Sequence, residues 1–191
     1  MRIIAGEFRG RKLLSPESDT TRPITDRVKQ SLFDIVAPDI PGHLVCDCFS
    51  GTGSMGLESL SRGARQVLFF EADRSALRQL NQNIATLAVQ NRARIIPGDL
   101  FRWFAQVAPP EADRAAIIFL DPPYRFVVQR SDEIRRLIAR MISHHLASDG
   151  YIVFRHESKD NLALTHLDEF DRREYGNMTL RFLRASRERQ A

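Results

Sequence analysis

A chain of 191 residues, 43% hydrophobic and 27% charged, is long enough to bury a sizeable core without disulfide or metal staples. No apolar run approaches the roughly 20 residues a membrane helix needs, and the opening Met1-Arg2-Ile3-Ile4-Ala5-Gly6 lacks the pattern of a signal peptide, so a cytoplasmic location is expected. The net charge of +4 is unevenly placed: residues 1–30 hold seven Lys or Arg against four acids, and residues 177–191 hold four Arg against one Glu.

Such basic ends suit a polyanionic partner, although a scattered solvated surface gives the same count. Residues 2–5 and 12–14, joined by a turn through Gly6 and Gly10, read as a small β-hairpin. A polar loop with Pro16 and Pro23 follows. Thr25 or Asp26 then caps a helix to about Val36, with Val28, Leu32, Phe33 and Ile35 on its apolar face. From Gly42 short apolar runs alternate with amphipathic segments. Strands are expected at 44–49, 67–71, 93–97, 116–121 and 151–154, and helices at 55–61, 74–87, 101–107 and 132–146. This alternation predicts a parallel sheet with helices on both faces. Two last runs, 167–175 and 178–184, are separated only by Gly176 and Asn177 and predict a closing antiparallel hairpin. The expected fold is therefore α/β and Rossmann-like, the outline of class I methyltransferases. Its seven-stranded, mostly parallel sheet (41–191) follows an N-terminal hairpin and helix (1–40).

Several residues read as structural. Cys46 and Cys48 cannot complete a zinc site, and a disulfide across one residue is awkward, so they read as small strand residues and no metal is expected. Phe101, Trp103 and Phe104 suit core packing. His144-His145 fits a helix C-terminus better than a metal site. Phe126 suits packing and base contact equally.

Gly51-Thr52-Gly53-Ser54-Met55-Gly56 has G-x-G-x-x-G spacing between a predicted strand and a predicted helix. Glycines allow close backbone approach, and a helix N-terminus favours an anion. That anion is pyrophosphate in a dinucleotide enzyme, or the methionyl carboxylate of S-adenosylmethionine with Asp47 near the ammonium. Glu71, ending the next strand, can accept from both ribose hydroxyls. Asp99 can accept from the adenine amino group, with Leu100 covering the ring.

Asp121-Pro122-Pro123-Tyr124 ends a buried apolar strand and decides between these cofactors. Two prolines stiffen a projection bearing a carboxylate, the Pro122 carbonyl and an aromatic face. An amino group conjugated to a base ring is a poor nucleophile because its lone pair is delocalised. Accepting both its N–H groups with Asp121 and the Pro122 carbonyl favours a pyramidal nitrogen, and Tyr124 can stack on the base. The base must be unpaired or flipped to reach them. Hydride transfer has no comparable use for this tetrad.

At this point the chain resembles the bacterial 16S rRNA (guanine966-N2)-methyltransferase family along nearly its whole length. The resemblance lies in Met1 to Gly6, Arg9-Gly10-Arg11, Thr21-Arg22-Pro23, Asp26-Arg27-Val28-Lys29, Leu32-Phe33, Gly51-Thr52-Gly53 through Gly56 to Ala64, and the tetrad. It departs from the family's pattern at Cys48 and Ser50, where Leu and Ala are commoner, and at Arg155-His156-Glu157, which replaces a more apolar lead-in to Glu. The resemblance implies an enzyme methylating guanine N2 in 16S rRNA of the small subunit or its assembly intermediate, and nothing in the sequence demands more than a monomer. S-adenosylmethionine would be held by Asp47, Phe49, Gly51, Gly53, Glu71, Asp99, Leu100 and Asp121. Asp121, Pro122 and Tyr124 would act on the base. Arg9, Arg11, Lys12, Arg22 and Arg27 would bind RNA phosphates, with Arg22 or Arg27 pairing with Asp26 as the alternative. A DNA adenine-N6 methyltransferase shares the tetrad but would need room for a target-recognition domain. A non-catalytic RNA-binding assembly protein would need neither Asp121 nor the glycine loop.

Overall fold

Seven strands and their intervening helices make the expected α/β architecture with a mixed sheet. The computed structural model describes residues 1–15, 24–160, 162–164 and 167–186. They divide into two compact units, Met1–Asp99 and Leu100–Ala191. No helix among the described residues is long and apolar enough to cross a membrane.

The first unit runs α1 (Asp26–Val36), β1 (Leu44–Cys48), α2 (Ser54–Ser61), β2 (Gln66–Glu71), α3 (Arg74–Leu87) and β3 (Ala93–Pro97). Its strands are parallel in the order β3-β2-β1, with Asp47 level with Phe69 and Glu71 level with Pro97. All five β1 residues are buried, as befits a parallel strand covered on both faces. Cys46 and Cys48 are buried free thiols, and burial pushes Cys46 up to about 12 and Cys48 well above its ordinary value. The predicted limits of α3 hold because the Asp73 carboxylate caps the Ala76 N–H at 2.8 Å. Thr25 likewise caps α1 through the Val28 N–H. Ile35 is only half-buried, however, and the fully buried α1 positions include Lys29.

The second unit comprises α4 (Leu100–Gln106), β4 (Ala115–Leu120), α5 (Tyr124–Gln129), α6 (Ser131–His144), β5 (Leu146–Glu157), β6 (Leu167–Tyr175) and β7 (Met178–Ala185). The strand order is β4-β5-β7-β6; β4 and β5 are parallel, and β7 is antiparallel to both its neighbours. Gly176, at φ 61°, turns the predicted closing hairpin. Two boundaries differ from expectation. Leu146 starts β5 instead of ending α6, and β5 spans 12 residues. The strand passes through Asp149-Gly150 because a side chain there would sit 2.8 Å from the Ala115 carbonyl oxygen, a space glycine leaves free. The six-residue α5 was unexpected altogether.

The N-terminal arm is a hairpin only in outline. Its pairing is the single bridge Arg2–Lys12, supported by Ile3 N–H to the Arg11 carbonyl at 3.0 Å and Gly10 N–H to the Ile3 carbonyl at 2.9 Å. Other arm amides turn to α2. Ile4 and Ala5 donate to the Glu58 carboxylate at 2.8 and 3.0 Å, and Glu7 donates to the Ser61 carbonyl at 2.7 Å. Gly6 is required at that approach, since a Cβ would lie 1.9 Å from the Ser61 carbonyl oxygen. Glu58 is fully buried and also pairs with Lys29 at 3.2 Å and Arg62 at 2.9 Å. Burial lowers the Lys29 pKa and Glu58 opposes that effect. Removing the carboxylate would leave two cations and two amides without their acceptor. Glu58→Ala should therefore cost about 3–5 kcal/mol of stability, measured by denaturant unfolding.

Candidate active site

The residues expected to hold a cofactor follow β1, β2 and β3 in the first unit. Between β1 and α2 the chain enters the left-handed region three times, at Phe49 (φ 60°), Gly51 (φ 54°) and Gly53 (φ 89°). That conformation costs energy for Phe49, which the Ser50 N–H bond to the Phe70 carbonyl and the Gly53 N–H bond to the Ser50 carbonyl help to hold. The two outer glycines differ in use. A Cβ on Gly51 would meet only open space, whereas one on Gly56 would lie 2.2 Å from the Phe69 ring. Gly51 therefore borders a space a ligand can enter, and Gly56 lets the helix pack on the sheet.

Two acids shape this loop. Buried Asp47 accepts the Gly56 N–H at 2.8 Å, placing a negative charge at the opening of α2. Glu71 accepts from Gly51 N–H at 2.7 Å and from the Ala72 and Asp73 amides at 2.8 Å each. A carboxylate offers about four acceptor positions, so Glu71 retains one for a further donor without releasing the loop, and the expectation that it accepts from both ribose hydroxyls is cut to one while these bonds hold. Leu100 is buried and Asp99 exposed. The donor set fits S-adenosylmethionine, whose ammonium, ribose diol and adenine amino group all donate hydrogen bonds. A pyrophosphate at α2 would face the Asp47 carboxylate, which disfavours a dinucleotide.

The tetrad belongs to the second unit. β4 is buried along its whole length and delivers Asp121 at its end. Asp121 Oδ2 accepts from Arg155 Nη1 at 2.9 Å. Burial raises the Asp121 pKa, and the Arg155 charge opposes the rise. The two prolines remain non-helical, and Pro123 caps the start of α5, its carbonyl accepting the Phe126 N–H at 2.8 Å. Tyr124 is half-buried, with its hydroxyl 3.5 Å from Arg155 Nη2. A carboxylate, a carbonyl and an aromatic ring thus occur within four residues, set by β4 on one side and α5 on the other.

The remaining predicted residues divide. Arg9, Arg11, Lys12 and Arg27 are exposed, and Arg22 lies outside the described residues. Asp26 pairs with Arg2 at 2.6 Å, an arm contact. Phe104 is core, while Phe101 and Phe126 flank Arg130, whose guanidinium lies 4.1 and 4.9 Å from their ring centres. His145 is buried against the Phe104 carbonyl. Burial lowers its pKa to about 4, so it carries no charge toward the helix end at neutral pH, contrary to the dipole expectation. The described residues contain no cluster able to hold a metal. Two residues escaped prediction. Arg155 was visible as a cation within an apolar strand. Asn83, the polar position on the buried face of α3, bonds both Leu14 and the Thr52 carbonyl, joining the arm to the glycine loop.

Comparison with known proteins matches residues 1–184 to a family described as Conserved hypothetical protein 95. The protein YlbH of Bacillus subtilis (strain 168), whose name assigns it provisionally to rRNA methylation, is 33% identical over 86% of this chain and 87% of its own length. Ribosomal RNA small subunit methyltransferase D of Escherichia coli (strain K12) is 44% identical over 65% of this chain; the match spans 61% of that relative's length. The solved Escherichia coli protein yhhF superposes with a TM-score of 0.82 at 33% identity, covering 97% of this chain and 98% of its own.

Glu71→Gln keeps the shape of the β2 terminus but removes the charge of its acceptor. Affinity for S-adenosylhomocysteine, measured by titration calorimetry, should fall about tenfold or more, as expected for loss of a charge-assisted hydrogen bond.

Proposed function

This chain belongs to the Conserved hypothetical protein 95 family, in keeping with its motif resemblance, and we propose that it is an S-adenosylmethionine-dependent methyltransferase acting on guanine N2 in 16S rRNA. The observation that carries the reading is the Asp121-Pro122-Pro123-Tyr124 projection, in which a carboxylate held by Arg155 at 2.9 Å, a backbone carbonyl and an aromatic ring follow one another at the end of β4. Relatives named for small-subunit rRNA methylation support the RNA substrate.

The chemistry follows from what these groups can accept. Asp121 Oδ1 and the Pro122 carbonyl take the two N–H groups of an unpaired guanine, which directs the nitrogen lone pair away from the ring. Tyr124 stacks on the base and fixes its plane. S-adenosylmethionine, when bound, supplies a methyl group on a sulfonium sulfur that leaves as a neutral thioether. The new N–C bond uses the nitrogen lone pair, and the nitrogen then sheds one proton, which Asp121 accepts or passes to water. Asp121 need not be a strong base because the proton becomes acidic only as the bond forms. Positioning and a preorganised negative charge contribute most of the rate.

The test is transfer of labelled methyl to unmethylated small ribosomal subunits, with naked 16S rRNA and DNA in parallel. Label in RNA as N2-methylguanosine is the expected product, whereas N6-methyladenine in DNA alone would replace this substrate by the other amino group the tetrad suits. Asp121→Ala should lower transfer by about 100-fold or more at saturating cofactor, with S-adenosylhomocysteine affinity measured alongside to separate lost transfer from lost binding. Full activity in that variant would remove Asp121 from the mechanism.

The exposed Arg9, Arg11, Lys12 and Arg27 supply phosphate contacts that position the RNA without reading its sequence. The double change Arg9→Glu and Arg11→Glu should weaken RNA binding and flatten its salt dependence, the slope falling by about 0.7–0.9 for each phosphate that is no longer neutralised. Cofactor affinity should not change. An unaltered RNA affinity at low salt would exclude these two side chains from the interface.

A further inference from the structure

Arg155 sits where the packing of a strand gives no reason for a cation. Phe154 is level with Leu120 on β4, which brings Arg155 level with Asp121 just beyond that strand; on its other side Arg155 pairs with Leu180 of β7. The arginine side chain is only 9% exposed. Nη1 donates to Asp121 Oδ2 at 2.9 Å, Nη2 lies 3.5 Å from the Tyr124 hydroxyl, and the guanidinium carbon stands 5.8 Å from the Tyr124 ring centre. One buried cation thus reaches two of the four tetrad residues. The burial is costly for a guanidinium, and two of the contacts it obtains are with tetrad groups.

A carboxyl group has two hydrogen-bonding identities. Ionised, it only accepts; protonated, it donates one hydrogen bond. An exocyclic amino group presents donors, whereas a ring carbonyl presents an acceptor, so the ionisation state of Asp121 decides which edge of a base it can hold. Burial alone pushes Asp121 toward the protonated form, and Arg155 opposes this. We propose that Arg155 is a positioning and specificity-determining residue: by occupying Oδ2 it keeps Asp121 an acceptor-only carboxylate with Oδ1 left for an amino N–H, and it fixes the tilt of the Tyr124 ring. Amino groups are thereby selected over carbonyls. The charged and titratable groups of this unit that act on the pair are Asp121 itself, Arg155 from β5 and Tyr124 from α5; Leu180 on β7 is uncharged.

This inference rests on the amino-methylation reading for its consequence, but its physical core is testable without activity. The full chain, carrying aspartate labelled with carbon-13 at the carboxyl carbon, is titrated by NMR, with the Asp121 resonance assigned by its loss in Asp121→Asn. In Arg155→Gln the Asp121 midpoint should rise by about 1–3 pH units. Arg155→Met, an uncharged variant suited to an apolar strand, should give the same rise, and Arg155→Lys should restore a near-native midpoint. An unmoved midpoint in the uncharged variants overturns the proposal. In kinetics, the acidic limb of the kcat profile should move up with the midpoint, so that activity lost at neutral pH returns in more alkaline buffer. A loss of kcat equal at all pH values would instead make Arg155 merely structural. Absence of methyl transfer by the wild-type protein would defeat the functional reading, while the NMR titration would still decide the ionisation of Asp121.

Discussion

A carboxylate at the end of a buried strand is a liability unless something holds its charge, and the second unit is organised around that constraint. Asp121 follows six buried residues of β4, and desolvation pushes its pKa up while the Arg155 charge opposes the rise. The partner comes from β5, whose length carries Arg155 level with it. That strand is in turn held on its other edge by β7, through pairs running from Ile152 with Leu183 to Glu157 with Met178. Two prolines and the capped start of α5 then limit where the adjoining carbonyl and Tyr124 can go. The result is a fixed arrangement of acceptors, suited to a reaction in which the protein's main task is to orient a weak nucleophile.

The first unit meets a related constraint differently. Glu58 is buried with two cations and two amides converging on it, so the N-terminal arm, α1 and α2 share one electrostatic centre. Since α2 begins at the glycine loop, the arm that carries Arg9, Arg11 and Lys12 is fastened to the helix shaping that loop. Asn83 adds a second fastening through Leu14 and Thr52. The arm thus turns its amides to groups of α2 and α3 and keeps only one bridge of its own hairpin.

Much of this was legible in the sequence where local signals suffice. The limits of α3 could be read because a capping Asp73 precedes a helical apolar period, and the last hairpin because only Gly176-Asn177 separates two strand-like runs. The tetrad was found because two prolines after an apolar strand have few structural uses. Other features depend on contacts that no local pattern encodes. Ala147 to Gly150 read as a loop, yet β5 runs through them because Gly150 accommodates the Ala115 carbonyl. The short α5 was hidden behind the prolines that start it. The burial of Lys29 depends on Glu58, 29 positions away, which no local pattern announces. Arg155 could be seen as anomalous, but only the pairing of β4 with β5 assigns it to Asp121.

Everything in the proposed reaction turns on how the target base is held. The most direct test is a crystal structure with S-adenosylhomocysteine and a short RNA bearing an unpaired target guanosine. The expected result is guanine N2 within about 2.7–3.2 Å of both Asp121 Oδ1 and the Pro122 carbonyl oxygen, with the base stacked on Tyr124 and Arg155 still on Oδ2. A guanine whose O6 faces Asp121, or one seated away from the tetrad, would contradict it.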